Sequence, residues 1–360
     1  MTTEQIVKTV QLMKSKGARA VLPKDYTPKL DFFQTERGIK LIKDRFEREL
    51  SKALTLQRIS APRFLKIGDG LQDDLAGTQI PVGFKAKHTG QSIEMVHSLA
   101  KWKRYALGKY GFKTGEGLYT DMDAVRKDEA IDEIHSIYVD QWDWEKIITK
   151  QQRTIPYLKE VVRKIYSAIL RAQQALRSEF PQLRYSLPKK IRFIHAEELE
   201  ALYPDLTPQQ REKRITQKYG AVFIIGIGHP LRSGRPHDLR AADYDDWSTK
   251  TADGKRGLNG DIIVWDPVRK EALELSSMGI RVDKESLMAQ LTMMGLEERK
   301  RLKFHRGIIE DKIPLSIGGG IGQSRLCMLL LEKAHIGEVQ SSVWPEETIG
   351  EFERRGIALL

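Results

Sequence analysis

The stretch Gly318-Gly-Gly-Ile-Gly-Gln-Ser-Arg325 places four glycines directly before an apolar segment that runs to Leu331. Glycine has no Cβ, so a flat ligand can approach the backbone closely here. The apolar segment predicts a helix, with Arg325 in its first turn. A guanidinium at that position suits the phosphates of a purine nucleotide. The alternative is a glycine-rich turn with a surface arginine, and the spacing matches neither G-x-G-x-x-G nor G-x-x-x-x-G-K-[ST].

The bulk composition indicates a globular protein of a reducing compartment. The chain has 360 residues, which is enough for one large or two ordinary domains, and 40% of them are apolar. The single cysteine, Cys327, cannot form an intramolecular disulfide or a thiolate zinc site, and we therefore expect a cytoplasmic location. No apolar run reaches the roughly 20 residues of a membrane span, and Lys8, Lys14 and Lys16 interrupt any signal-peptide core.

The net charge of +11, from 60 basic and 49 acidic residues, suits either a nucleic-acid binder or a site for small anions. The basic residues are spread along the sequence, with no block of five or more and no basic stretch interleaved with aromatic residues. This distribution favours a small anionic ligand over nucleic acid.

Apolar spacing predicts helices over residues 35–54 and 156–178, the second after a proline suited to a first turn. Short apolar or alternating runs predict strands at 136–145, 191–194, 221–227, 261–265 and 271–278. Strands and helices do not alternate regularly, so we expect an α+β fold with an antiparallel sheet flanked by helices. Residues 1–30, with Ile6, Val10 and Met13 at helical spacing, are predicted to be an extension, and residues 31–360 a single domain.

A polar row marks the strand at 136–145. Period two places Val139, Gln141, Asp143 and Glu145 on one face, and Trp142 and Trp144 on the other. The tryptophans are predicted to be core residues. The polar row suits either a solvent-exposed surface or the floor of a pocket that binds an ammonium group.

Carboxylates on two further strands predict a metal site. Asp261 and Glu274 lie on consecutive predicted strands, and a hairpin would bring them within reach of one Mg²⁺, which takes one or two carboxylates and phosphate oxygens. Ordinary surface acids are the alternative, and the position of Glu274 inside a strand, seven residues before Arg281, favours function. The turn-rich segment 68–74 and the cation cluster 97–104, which could bind a carboxylate, also have plain surface explanations. The histidines form no H-E-x-x-H pattern.

Together these segments resemble the catalytic core of the class II aminoacyl-tRNA synthetases, in particular the aspartyl and asparaginyl enzymes. Arg126-x-Asp-Glu129 is similar to the second motif of that class and Gly318–Leu326 to the third. The resemblance is stronger to the ammonia-dependent asparagine synthetases (aspartate–ammonia ligases) and covers about residues 30–345. The matching segments are GDGLQDDLAG (68–77), VHSLAKWKR (96–104), GEGLYTDM (115–122), HSIYVDQWDWE (135–145), RAADYDDWST (240–249), GLNGDI (257–262), ELSSMGIRVD (274–283) and IGGGIGQSRL (317–326).

The resemblance implies a homodimer with an eight-stranded, mainly antiparallel sheet. It implies a ligase that uses ATP and Mg²⁺ to form β-aspartyl-AMP from aspartate, after which ammonia attacks to give asparagine, AMP and pyrophosphate. By matched position it implies catalytic roles for Asp73, Arg126 and Gln141, and aspartate contacts for Ser98, Lys103, Asp143, Asp245 and Arg281. The implied nucleotide-binding residues are Arg126, Ser136, Val139, Asp261, Glu274, Ser276, Ser277, Gly320 and Arg325, with Asp261 and Glu274 also holding the metal.

Ammonia attacks as NH₃, so a proton must leave during amide formation, and Asp73 and Asp245 are both candidate bases. A tRNA-aminoacylating enzyme is the main alternative. About 30 residues before the core and about 15 after it leave too little chain for an anticodon-binding module, so tRNA binding is not expected. An inactive relative would lack Arg126, Glu274 or Arg325, all of which are present. A glutamine-dependent enzyme needs an N-terminal catalytic cysteine, which the lone Cys327 cannot supply.

Overall fold

An eight-stranded sheet organises the computed structural model, which describes residues 22–73, 75 and 79–360. The strands are numbered through both sheets of the structure. They are β1 Leu56–Arg58, β2 Phe64–Lys66, β3 Gly83–Lys85, β4 Ser92–Met95, β5 Gly117–Val125, β6 Tyr138–Ile147, β7 Arg192–His195, β8 Ala221–Ile225, β9 Asn259–Asp266, β10 Glu271–Ile280 and β11 Ser316–Gly322. The large sheet has the order β1-β5-β6-β11-β10-β9-β8-β7, and β2-β4-β3 form a small antiparallel sheet.

The large sheet is mixed. Its five inner pairings are antiparallel, as predicted, whereas the edge pairings β1/β5 and β7/β8 are parallel. A parallel pair needs a long crossover connection, and residues 59–116 and 196–220 provide one at each edge. The prediction therefore identified the centre of the sheet, but short edge strands give no local signal of their direction.

Helices cover the sheet. They are α1 Phe32–Leu54, α2 Ala100–Lys109, α3 Ile155–Glu179, α4 Ala196–Leu202, α5 Pro208–Tyr219, α6 Lys284–Met294, α7 Lys303–Ile309, α8 Gln323–Leu330 and α9 Glu346–Arg355, with short 3₁₀ turns at Lys150–Gln152, Glu297–Arg301 and Ile336–Glu338. Asp31 closes a capping box on α1, and the Thr154 hydroxyl accepts a hydrogen bond from the Tyr157 amide at the start of α3. Both predicted helices are confirmed, with each boundary within three residues.

The main hydrophobic core lies between α1, α3 and α8 and one face of the sheet. Phe46 of α1 meets Trp142 of β6 with ring centroids 4.6 Å apart, and Trp144 is fully buried in the same cluster. The predicted core role of both tryptophans is confirmed. Because side chains alternate along a strand, the opposite face of β6 carries Gln141, Asp143 and Glu145.

Several strand limits differ from the prediction by one or two residues, and two of these differences have a local reason. The strand predicted at 221–227 ends at Ile225, because Gly226 takes a φ of +80° and packs against the imidazole of His195. The strand predicted at 136–145 begins at Tyr138, because the Ser136 hydroxyl accepts a local hydrogen bond from the Tyr138 amide at 3.1 Å.

The end of the predicted extension packs on the C-terminal part of the chain. Leu22 and Leu30 are buried, the Tyr26 hydroxyl donates to Glu338 at 2.7 Å, and Lys29 forms an ion pair with Glu332. The predicted helical spacing of Ile6, Val10 and Met13 lies outside the described residues. In the described part of the chain, no helix is long and apolar enough to cross a membrane.

Candidate active site

A cleft of about 700 Å³ opens over the polar face of β6, β10 and β11. It gathers fifteen of the sixteen residues that the sequence singled out. The residues that line it are Asp73, Ser98, Lys103, Arg126, Ser136, Val139, Gln141, Asp143, Asp245, Glu274, Ser276, Ser277, Arg281, Gly320 and Arg325. The sixteenth, Asp261, lies behind Arg240, which itself lines the cleft. The polar row on β6 is therefore a pocket floor and not an exposed surface.

One buried arginine joins two carboxylates in that floor. The Arg281 Nε donates to Glu145 Oε1 at 3.0 Å and its Nη2 donates to Glu145 Oε2 at 2.9 Å, while Nη1 donates to Asp245. All three side chains are at most 2% exposed. Burial raises the pKa of Asp245, although Arg281 opposes this effect, and the two carboxylates raise the pKa of Arg281.

A second buried pair lies beside the first. The Lys103 Nζ, on α2, donates to Asp143 Oδ1 at 2.9 Å and to the Gly319 carbonyl oxygen at 2.8 Å. Burial lowers the pKa of Lys103, while Asp143 opposes this shift and favours the charged ammonium. The cleft thus has two fixed cations, Lys103 and Arg281, on a floor of carboxylates. The cations of such a floor can bind the carboxylate of an amino acid, and its carboxylates can bind the ammonium group.

Glycines in β11 leave room for these side chains. Gly318 faces Glu145 and Gly320 faces Asp143 in the register of β11 and β6. A Cβ on Gly318 would overlap the carboxylate of Glu145, and one on Gly320 would overlap Oε1 of Gln141 and lie 2.9 Å from Oδ1 of Asp143. These two glycines therefore leave space for the polar side chains of the neighbouring strand β6. They also allow a ligand to approach the backbone of β11.

Gly320→Ala should lower turnover by about 100-fold, because displacing the Gln141 and Asp143 side chains by even 1 Å spoils the geometry of the site. The fold should persist, as judged by circular dichroism. Gly83→Ala is the matched control, since its Cβ would meet its nearest neighbour, the Ile93 carbonyl oxygen, at 3.4 Å on an exposed strand. Wild-type turnover in Gly320→Ala would contradict the proposed packing.

Asp73 is held by short local bonds. Its Oδ2 accepts a hydrogen bond from the Ser98 hydroxyl at 2.6 Å, and its Oδ1 accepts one from the Leu75 amide at 3.0 Å. The carboxylate is 2% exposed and lines the cleft, as does the partly buried Tyr244. Burial raises the pKa of Tyr244, and the charges of Asp73 and Asp245 add to that effect. Tyr244 therefore remains a neutral phenol near two carboxylates.

Two arginines line the cleft, Arg126 from the loop after β5 and Arg325 from α8. Arg126 donates to the His97 carbonyl oxygen at 3.3 Å, and its buried Nε has no hydrogen-bond partner among the described residues. The Arg325 Nη1 donates to the Glu274 carbonyl oxygen at 3.1 Å, and its Nη2 lies 2.9 Å from His135 Nε2. The predicted start of a helix at Arg325 is confirmed, since α8 begins at Gln323.

A buried polar network lies between these arginines and the core. The Ser136 hydroxyl donates to Gln340 Oε1 at 2.6 Å, and the Ser324 hydroxyl donates to Asp140 Oδ2 at 2.8 Å. The Gln340 amide joins the two halves by donating to Ser324 Oγ at 3.1 Å. Because every member is bonded, the network fixes the wall of the cleft below Val139.

Asp261 and Glu274 lie on the adjacent strands β9 and β10 but are offset in register, since Ser277 pairs with Asp261 and Ile263 with Glu274. Burial raises the pKa of Asp261 to about 7; the charge of Arg240 lowers it and that of Glu274 raises it. Its Oδ1 is buried and has no hydrogen-bond partner in the described part of the chain. Two carboxylates, one with an unused buried oxygen, fit a divalent cation that also takes phosphate oxygens.

Sequence reasoning missed several residues of the site. Arg240, which pairs with Asp261, and Tyr244 both lie in the segment RAADYDDWST, where only Asp245 was selected. Glu145 was recognised as part of the polar row, but its bond to Arg281 was not. The clustering of three acids and an arginine within Arg240–Asp246 was the available signal.

The fold is shared with class II aminoacyl-tRNA synthetases. The asparaginyl-tRNA synthetase from Pyrococcus horikoshii, solved with asparaginyl-adenylate, aligns with a TM-score of 0.61 at 13% identity, covering 86% of this chain and 70% of that one. The aspartyl-tRNA synthetase from Entamoeba histolytica aligns at 0.58 with 14% identity, covering 93% and 66%. The sheet and helices therefore define a protein with the class II synthetase fold.

Sequence comparison narrows this class. A family profile described as aspartate–ammonia ligase matches residues 33–356. The aspartate–ammonia ligase of Bacteroides thetaiotaomicron is 52% identical over 341 residues, which is 94% of this chain and 99% of that protein. The aspartate–ammonia ligase of Clostridium perfringens is 54% identical over 340 residues, covering 94% and 98%. This chain belongs to the aspartate–ammonia ligase family.

Proposed function

We propose that the protein joins L-aspartate and ammonia into L-asparagine at the expense of ATP, through β-aspartyl-AMP, releasing AMP and pyrophosphate. The proposal rests on the composition of the cleft. It is lined by the fixed cations Lys103 and Arg281 with their carboxylate partners, and by two further arginines, Arg126 and Arg325. Family membership over nearly the whole chain supports the same reaction.

The arginines suit the nucleotide. Arg126 is assigned to the α-phosphate and Arg325 to the γ-phosphate, and Ser136, Val139, Ser276, Ser277 and Gly320 to the surrounding nucleotide contacts. Negative charge accumulates at the α-phosphorus as the aspartate carboxylate attacks. A preorganised guanidinium stabilises that charge without rearranging, and it forms no covalent bond.

The buried cations suit aspartate. Lys103 and Arg281 are assigned to the carboxylate that does not react, and Asp143 and Gln141 to the amino group and the reacting end. Asp245 orients Arg281 from the other side. Ser98 is assigned a supporting role, because its hydroxyl fixes the Asp73 carboxylate.

Asp261 and Glu274 would hold Mg²⁺ together with phosphate oxygens. When bound, the metal would neutralise charge on the phosphates of ATP. The Asp261 carboxylate must lose its proton to act as a ligand, and Arg240 keeps it oriented until then. Ser277 lies directly opposite Asp261 in the hairpin.

Binding of Mg·ATP at pH 6.5 should release about one proton, and binding at pH 8.5 should release almost none. The reason is that the raised pKa of Asp261, about 7, keeps the carboxyl protonated below that pH and ionised above it. Proton release can be measured by calorimetry in buffers of different ionisation enthalpy. Asp261→Asn should abolish the difference between the two pH values. A variant that keeps the wild-type difference in proton release between pH 6.5 and pH 8.5 would exclude Asp261 as the titrating ligand.

Arg325→Ala should lower kcat/KM for ATP by about 10²- to 10³-fold, which is the usual loss when one charge-stabilising donor is removed. The KM for aspartate should change little. Arg354→Ala, at an exposed position on α9, is the matched control. Unchanged ATP kinetics in Arg325→Ala would remove it from the phosphate site.

The proposed reaction can be tested by incubating the protein with aspartate, ATP, Mg²⁺ and ammonium and measuring asparagine, AMP and pyrophosphate. Asparagine with stoichiometric AMP, and none without ammonium, is the expected result. ADP as product would indicate an acyl phosphate and contradict the adenylate. Aspartate-dependent exchange of pyrophosphate into ATP without asparagine would instead indicate an adenylating enzyme that serves another acceptor.

We propose a cytoplasmic homodimer in which residues 31–360 form one catalytic domain and residues 1–30 an extension. Light scattering should give twice the chain mass of 41.2 kDa. Deleting residues 1–21 should leave turnover unchanged, since the segment 22–30 supplies the buried contacts of Leu22 and Leu30.

A further inference from the structure

Although the basic residues are spread along the sequence, acidic residues are scarce in one part of the chain, and most of the net charge lies there. Residues 150–220 hold fifteen lysines and arginines against seven acidic residues, so this fifth of the sequence carries +8 of the net +11. It comprises α3, the edge strand β7, α4 and α5. The residues that line the cleft come from other segments, so ATP binding leaves this charge unexplained.

The fold gathers part of this charge around β7, the edge strand of the large sheet. On one side, Lys159 and Arg163 of α3 lie over the ring of Phe193, with the Lys159 Nζ 5.5 Å and the Arg163 guanidinium carbon 5.0 Å from its centroid. On the other, Arg192 and Lys218 lie 5.6 and 5.2 Å from the centroid of Tyr219.

The connection between the two sides is also basic. Lys189 and Lys190 lie before β7, separated from it by Ile191, and the ring of Pro188 would lie 3.1 Å from a Cβ added to Gly220 at the end of α5. We name the β7 surface for the residues that compose it, which are Lys159, Arg163, Lys189, Lys190, Arg192, Phe193, Lys218 and Tyr219.

The cations of the β7 surface are available to a partner. Five of them, Arg163, Lys189, Lys190, Arg192 and Lys218, are exposed, and none of the six has an ion-pair partner among the described residues. By contrast, the neighbouring Lys164 and Lys213 are paired with Glu160 and Glu271. Cations without an ion-pair partner leave a positive potential at the surface, and this potential attracts an external anion.

The exposed ring of Tyr219 indicates which class of anion the β7 surface binds. Tyr219 is 37% exposed at the end of α5, and Arg192 and Lys218 lie over its ring, so a base would stack on it by displacing one of these mobile side chains. An exposed aromatic ring flanked by cations provides a stacking surface for a base and contacts for the phosphates on either side. An acidic peptide or a lipid headgroup would use the cations but has no flat ring to stack on Tyr219.

We propose that the β7 surface binds single-stranded nucleic acid, with phosphates on Lys189, Lys190, Arg192 and Lys218 and a base stacked on Tyr219. The binding is independent of the sequence of bases. The cations contact phosphates and the ring stacks on any base, and neither contact involves the hydrogen-bonding edges that distinguish the bases. It is also separate from the ligase reaction, because it uses no residue of the cleft.

The test is the fluorescence anisotropy of a labelled oligouridine of about 12 nucleotides titrated with the full-length protein. The triple variant Lys189→Ala, Lys190→Ala, Arg192→Ala should bind more weakly, and the slope of log K against log salt between about 50 and 200 mM should fall by about 2. Its asparagine synthesis should equal that of the wild type. The matched control is Lys66→Ala, Lys85→Ala, Lys87→Ala, three exposed lysines on the small sheet and in the turn that follows its strand β3.

The stacking contact has its own matched pair. Tyr219→Ala should weaken binding about fivefold or more, whereas Tyr110→Ala, which removes an exposed tyrosine with Lys109 5.2 Å from its centroid, should have no effect. Equal losses in the β7 and small-sheet triple variants would overturn the location. An unaffected Tyr219→Ala, together with equal binding to phosphatidylserine vesicles, would overturn nucleic acid in favour of an anionic membrane.

Discussion

Arg281→Met should abolish asparagine synthesis and destabilise the fold by about 3–5 kcal/mol, because the substitution leaves Glu145 and Asp245 buried without their shared cation. A buried ion pair adds little net stability when intact, but removing one partner exposes the full cost of desolvating the other. Here one arginine serves two carboxylates. The loss can be measured by urea unfolding, with the midpoint falling and the slope unchanged.

Two further variants separate stability from binding. Arg281→Lys keeps the charge but not the bidentate geometry, so it should recover most of the stability while the KM for aspartate rises much more than the KM for ATP. Glu145→Gln with Arg281→Met should be more stable than Arg281→Met alone, because one unpaired buried charge is removed. An Arg281→Lys variant with a raised KM for ATP and a normal one for aspartate would reverse the proposed pocket.

Asp73→Asn should lower asparagine formation by about 10²- to 10⁴-fold, the usual contribution of a general base. Of the two candidate bases, Asp245 is engaged by Arg281, whereas Asp73 is bonded to the Ser98 hydroxyl and the Leu75 amide. Protonating Asp245 would weaken its buried ion pair with Arg281, whereas Asp73 is held only by neutral donors, so its use as a base breaks no ion pair. We therefore expect Asp73 to take the proton that ammonia loses.

The measurement must separate adenylation from amide formation. Aspartate-dependent exchange of pyrophosphate into ATP should survive in Asp73→Asn, while product formation with ammonia is lost. Hydroxylamine, which is a better nucleophile at neutral pH, should restore much of the turnover. Loss of the exchange reaction would place Asp73 in adenylation, and a larger loss of ammonia transfer in Asp245→Asn would transfer the role of base to that residue.

The sequence predicted those parts of the site that depend on the order of residues within one short segment. Period-two alternation identified both the buried tryptophans and the polar row of β6, and the glycine-rich stretch identified the strand that leads into α8. Asp261 and Glu274 were expected on consecutive strands and lie on the adjacent strands β9 and β10. Each of these features depends on residues close together in the chain, where backbone periodicity alone decides the arrangement.

Partners that are distant in sequence could not be predicted in this way. Arg281 contacts Glu145, 136 residues away, and Lys103 contacts the backbone of Gly319, 216 residues away. No local pattern specifies such pairs, because they depend on the order of strands in the sheet. The same reason explains why Arg240 was missed and why the two edge pairings proved parallel.

By itself, the sequence determined the helices, the central strands, the acidic and glycine-rich faces and the family whose segments it shares. The tertiary structure alone decided that Gly318 and Gly320 make space for the acids of β6, that one arginine neutralises two carboxylates, and that scattered cations meet around β7. Periodicity acts over a few residues, whereas burial and charge pairing act between whatever surfaces the fold brings together.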